Sequence, residues 1–151
     1  MAESVIVRQN RDYELEVLAT DPHDPDSTEF APVESIYQTT PYTMLLMGLA
    51  SCTAIVVNTY AEYHHVALDS VELRASYDRV FQEDCVHCEE VDQYEEVIDL
   101  QISFTGDLSA AERKKLLAIS RQCPIEKMLV HGIPVHTHLV EEAAAPAEEI
   151  A

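Results

Sequence analysis

With 151 residues, 47% of them apolar, the chain is long enough for one domain with a real core and too apolar to be disordered. Its 28 acidic residues against 9 basic leave a formal net charge of −19, which excludes a phosphate-binding surface for nucleic acid and disfavours an anionic membrane. The same acidity occurs in proteins adapted to salt, so charge by itself names no ligand.

In chain order, Val5–Arg8 and Tyr13–Leu18 alternate polar and apolar residues about Asn10-Arg11-Asp12, which predicts a hairpin. Thr20–Glu29 is an acidic, proline-containing loop, and Phe30–Tyr37 reads as a third strand. Thr40-Pro41 then predicts a helix start, with threonine as N-cap and proline at the first helical position. This helix should run to Tyr63 or His64. It carries few charges and is apolar all the way round, the pattern of a helix buried on several sides. A domain this small needs a partner to wrap it, so a dimer is expected.

Ser70–Tyr77 and Glu95–Phe104 alternate as strands around a polar insert, Glu83–Gln93. Ser109-Ala110-Ala111-Glu112 is a capping box opening a second helix toward Cys123. Pro124 breaks that helix or restarts it as a short turn to Val130, stopped by Gly132. Ile133–Val140 reads as a last strand. The expected architecture is α+β, with antiparallel sheet packed around a long buried central helix. Residues 1–140 form a single domain, and 141–151 an acidic, alanine-rich flexible tail.

The N-terminus, Met1-Ala2-Glu3-Ser4, has no signal-type basic region and apolar run. The apolar centre Met44–Val57 is shorter than the ~20 residues that span a bilayer. A cytoplasmic location without membrane association is expected, where cysteines tend to be catalytic, metal-binding or reduced.

Four cysteines are the chemistry-bearing residues. Cys52 lies in the apolar stretch Met44–Val57 and Cys123 in Arg121-Gln122-Cys123-Pro124. Both read either as inert core cysteines or as a thiol pair that cycles through a disulfide. Cys52 is about three turns into its helix, beyond the reach of that helix's dipole. A reactive thiolate there needs a cation or another helix N-terminus beside it. Cys85-Val86-His87-Cys88 has the spacing of half a zinc site, or of a vicinal redox pair, or of two free loop thiols. His64-His65 suit the C-terminal end of the long helix. His136-Thr137-His138 would place two imidazoles on one strand face, most simply a solvated one. Arg113-Lys114-Lys115 is a basic cluster on an exposed helix face. With three glycines there is no phosphate-cradling glycine loop, and no serine triad stands out.

The stretch Thr40-Pro41-Tyr42-Thr43-Met44-Leu45-Leu46-Met47-Gly48-Leu49-Ala50-Ser51-Cys52-Thr53 resembles the central-helix motif of the OsmC/Ohr family of osmotically inducible and organic hydroperoxide resistance proteins. Gly106-Asp107-Leu108-Ser109 and Cys123-Pro124-Ile125-Glu126-Lys127 resemble its second-cysteine segment, and the insert around Cys85 and Cys88 resembles a subgroup. The resemblance covers roughly Pro41 to Val140. It implies an intertwined homodimer with two interfacial sites and cysteine-dependent reduction of organic hydroperoxides or hydrogen peroxide. It makes Cys52 the peroxidatic and Cys123 the resolving cysteine, with their disulfide reduced by an external dithiol of lipoyl or thioredoxin type. No cofactor is required, with zinc at Cys85 and Cys88 as an option.

The chain departs from the family pattern at two places. The family's peroxidases carry a glutamate one or two residues after the helix-starting proline, where this chain has Tyr42 and Thr43. They pair it with an arginine from the N-terminal loop, and Thr20–Glu29 has none. Arg8 and Arg11 come earlier, and Tyr42, Glu126 and Lys127 are the residues that offer replacement polarity. The rival reading is a non-peroxidase protein of the same fold, binding an apolar ligand or a metal through the Cys85-x-x-Cys88 insert.

Overall fold

The structure is a computed structural model and describes residues 3–24, 26–81 and 94–140. Among these, five strands form one antiparallel sheet: β1 (Glu3–Asn10), β2 (Leu15–Thr20), β3 (Phe30–Pro32), β4 (Leu68–Phe81) and β5 (Tyr94–Gly106), in the order β3-β2-β1-β4-β5. Three helices accompany it: α1 (Pro41–Tyr63), α2 (Ala110–Ser120) and α3 (Pro124–His131). The fold is the expected α+β arrangement.

The hairpin between β1 and β2 forms because Asn10 replaces missing backbone partners. Its side-chain oxygen accepts the N–H groups of Asp12 and Glu14, both at 3.0 Å, while Tyr13 takes the left-handed conformation with φ 63°. Alternation then places every second residue on the helix side. Val17, Val7, Leu73 and Ile102 lie opposite one another across four strands. Val7 and Leu73 at the centre of that row are fully buried, and Val17 and Ile102 at its ends are partly covered.

α1 starts as the sequence dictates. Thr40 caps it by accepting the Thr43 N–H at 3.2 Å, and Pro41 occupies the first turn. The hydroxyls of Thr40 and Thr43 both donate to the Glu3 carboxylate, which ties the start of β1 to the start of the helix. An anion at that end also complements the helix dipole. α1 packs against β1 and β4 on one side and against α2 and α3 on another. Leu46, Ala50, Ala54 and Val57 are fully buried there. The pair Asn58 and Gln9 is buried too, and the Asn58 amide donates to the Gln9 carbonyl at 2.7 Å. By length and composition alone α1 is sufficient to cross a bilayer. In this fold one face of it packs against sheet and helices, while Met44, Leu45, Ile55 and Tyr63 are exposed.

Three expectations are corrected. Phe30–Tyr37 is not one strand: β3 ends at Pro32, and the last backbone bond to β2 runs from the Val33 N–H to the Val17 carbonyl at 2.9 Å. A capping box at Ser35 and Gln38 then turns Ile36–Gln38 into a single 3-10 turn. The strands flanking the insert are longer than their alternating cores, reaching Phe81 and starting at Tyr94. Residues 133–140 form no strand and pair with none of the described strands; Val135 is 83% and Leu139 95% exposed. His136 and His138 therefore share no strand face. The insert with Cys85 and Cys88, and the tail 141–151, lie outside the described residues.

Candidate active site

α2 and α3 bring Cys123 to the middle of α1. The Ser109 capping box is formed, with the serine hydroxyl accepting the Glu112 N–H at 3.1 Å and the Glu112 carboxylate accepting the Ser109 N–H at 2.8 Å. From there α2 buries Leu116 against the core cluster that includes α1. Pro124 restarts the chain as α3, and Cys123 is the N-cap between the two helices.

Cys52 and Cys123 are free thiols close enough to act on one another's charge. The Cys123 sulfur also lies 4.0 Å from the carbonyl oxygen of Leu49, one turn earlier on α1. Although Cys52 lies in the apolar stretch Met44–Val57, it is only half-buried, whereas Cys123 is fully buried. The physical reason is that Cys123 sits where three helices converge. Cys52 lies beside the buried row of α1 rather than on it.

Burial pushes the Cys52 thiol above its ordinary pKa, and the nearby Cys123 thiol pushes the same way. The polarity of the Ile125 backbone pulls more weakly in the opposite direction. Among the described residues no lysine or arginine acts on this thiol. Arg8 lies on the sheet, held by Glu72 at 2.5 Å and Glu16 at 3.3 Å. Arg11 pairs with Asp69 at 2.5 Å. Arg74 covers the Phe30 ring, and Arg113 donates to the Phe104 carbonyl. Lys127 donates to Gln122 at 3.0 Å, and Tyr42 stacks on Tyr77 at 4.6 Å. Tyr42, Glu126 and Lys127, the side chains offered for replacement polarity, are not among the groups that shift the thiol.

Two contributors were missed from sequence. The Ile125 backbone is invisible in a side-chain motif, although Cys-Pro at a helix start is a signal that uncapped N–H groups follow. Glu3 gives no local clue, because its link to Thr40 and Thr43 depends on how β1 lies against α1. Among the described residues no group of three or more His, Cys, Asp or Glu is placed to hold a metal.

The fold is thus an α+β one, an antiparallel sheet backed by one long apolar helix, with Cys52 in that helix and Cys123 at the start of α3. The family model for OsmC-like proteins matches residues 34–138, and the chain belongs to that family. No curated protein matches the chain. Among solved structures, it is similar to an OsmC-like hydroperoxide resistance protein from Jannaschia sp. CCS1, with a TM-score of 0.59 and 16% identity over 93% of this chain and 95% of that one. An organic hydroperoxide resistance protein OsmC from Legionella pneumophila gives a TM-score of 0.49 and 16% identity over 84% and 89% of the two chains. The Jannaschia structure, at that identity, supports the fold.

Proposed function

We propose that the protein is a thiol-dependent peroxidase that reduces organic hydroperoxides, with Cys52 as the peroxidatic and Cys123 as the resolving cysteine. The observation that supports this reading is the proximity of the two free thiols, one partly exposed and one fully buried. The half-exposed thiol is the one a substrate can reach.

The Cys52 thiolate attacks the terminal oxygen of the hydroperoxide. The O–O bond breaks, the alkoxide leaves and takes up a proton as the alcohol, and Cys52 becomes a sulfenic acid. The Cys123 sulfur then attacks the Cys52 sulfur. The S–O bond breaks and hydroxide leaves with the Cys123 proton as water, forming the disulfide. An external dithiol, lipoyl or thioredoxin-type, restores both thiols by exchange and is itself oxidised. The apolar surroundings of α1 favour a hydroperoxide with a hydrocarbon body.

A homodimer belongs to this reading. Tyr63, Val135, Leu139 and Val140 are exposed apolar side chains on α1 and on the unpaired segment 133–140. A second copy is the partner that supplies a sheet edge to that segment and cover to α1.

The test is consumption of cumene hydroperoxide with a dithiol reductant. Turnover that is lost in Cys52→Ser supports the proposal; no turnover, or turnover unchanged in Cys52→Ser, sinks it.

A further inference from the structure

The chain has three glycines. Gly106 and Gly132 have positive φ, so the backbone accounts for them. Gly48 is different. It lies inside α1, where glycine is less favourable than alanine. Apart from its own helix backbone and chain neighbours, no described atom comes within 4 Å of where its Cβ would stand. Close packing within the chain therefore does not demand a glycine there either.

Gly48 is exposed and lies one helical turn before Cys52. Residues four apart share a helix face, and helical side chains lean toward the N-terminus. The Cys52 side chain thus leans over the turn that holds Gly48 and Leu49. The Leu49 side of that turn is closed, because Leu49 is buried and the Cys123 sulfur lies 4.0 Å from its carbonyl oxygen. The Gly48 side is open. Its rim is apolar: Leu45 is exposed one turn before Gly48, and Ile55 one turn after Cys52.

We infer that Gly48 is a specificity-determining residue, whose missing side chain is the opening through which a hydroperoxide with a bulky hydrocarbon body reaches Cys52. The inference rests on the reading of Cys52 as the peroxidatic cysteine. The O–O group lies beside the sulfur, and the hydrocarbon lies over Gly48 between Leu45 and Ile55. A side chain at position 48 fills that space and leaves an approach narrow enough for hydrogen peroxide alone. Glycine is kept inside α1 for access to the sulfur, not for backbone shape.

The test uses the full chain with Cys85→Ser, Cys88→Ser and Cys123→Ala, so that Cys52 is the one thiol left to modify. Two reagents of different bulk are compared, methyl methanethiosulfonate and N-phenylmaleimide. Gly48→Leu is expected to slow the maleimide about tenfold or more and to leave the small reagent near its original rate, with Gly48→Ala in between. In the chain with all four cysteines, Gly48→Leu should lower kcat/KM for cumene hydroperoxide relative to hydrogen peroxide, again by about tenfold. Should Gly48→Leu fail to fold, Gly48→Ala carries the same comparison. An unmoved ratio of the two alkylation rates in the folded variant overturns the inference. So does a change in the sedimenting mass of Gly48→Leu, which would assign the gap to packing of a second copy. A shifted alkylation ratio without peroxide turnover would remove the proposed function and leave Gly48 as the opening to Cys52. Turnover with an unmoved ratio would remove only the role of Gly48.

Discussion

The sulfur of Cys123 lies 4.0 Å from the carbonyl oxygen of Leu49, one turn before Cys52 on the same helix. This contact seats the fully buried thiol against α1 and leaves Cys52 as the one open to solvent. The two cysteines are therefore expected to fail differently. Cys52→Ser should lose peroxide turnover by about a thousandfold or more, as removal of a nucleophile does. Cys123→Ser should still react once, accumulate a sulfenic acid that dimedone traps, and stop. Trapping in Cys52→Ser rather than in Cys123→Ser would reverse the roles.

Burial and the adjacent Cys123 hold the Cys52 pKa above the ordinary thiol value. Activity should climb with pH through the raised value as the thiolate forms. Stability runs the other way. The folded state keeps this proton more tightly than the unfolded chain, so the resulting contribution is complete below the ordinary thiol pKa and is lost as pH rises through the folded value. Denaturant midpoints of the reduced protein and of Cys52→Ser, compared across alkaline pH, measure this. A wild-type midpoint that does not fall relative to Cys52→Ser would contradict it.

Gly106 ends β5 with φ +149°, and a Cβ there would lie 2.2 Å from the Ala67 carbonyl oxygen. Strand pairing with Leu68 brings that backbone close. Gly106→Ala combines a disfavoured conformation with a clash and should cost about 1–3 kcal/mol or more. Thermal unfolding reads the loss directly, and an unchanged Tm would mean the backbone yields there without cost.

Asn58 and Gln9 form a buried polar pair between α1 and β1. Truncating one partner strands the other away from water, so Asn58→Ala should destabilise by about 2 kcal/mol. Adding Gln9→Leu should recover part of the loss, because no orphaned group then remains. A double variant as unstable as the sum of both single changes would argue against this coupling.

If a second copy covers segment 133–140, the protein sediments as a dimer and Leu139→Asp shifts it toward monomer. Val135→Asp should act in the same direction. A wild-type protein of monomer mass at micromolar concentration would remove the dimer from the reading.

Much of the fold was legible along the chain because its signals are local. Thr40-Pro41, the Ser109–Glu112 box and the alternation through Val5–Arg8 and Ser70–Tyr77 each involve residues within a turn or two of one another. Segment 133–140 alternates like a strand yet pairs with none of the described strands, since alternation states a preference and cannot provide an edge. Phe30–Tyr37 was misread for a related reason: the local box at Ser35 outcompeted extension of a short edge strand.

By itself, the sequence determined the α+β class, the helix that carries Cys52, and the pairing of Cys52 with Cys123 as the candidate chemistry. Periodicity, caps and motif residues are all written in consecutive side chains. Only the tertiary structure decided which of the two thiols is buried. Cys123 sits where α2 and α3 meet α1, and that convergence joins residues far apart in the chain, which no consecutive run of side chains records.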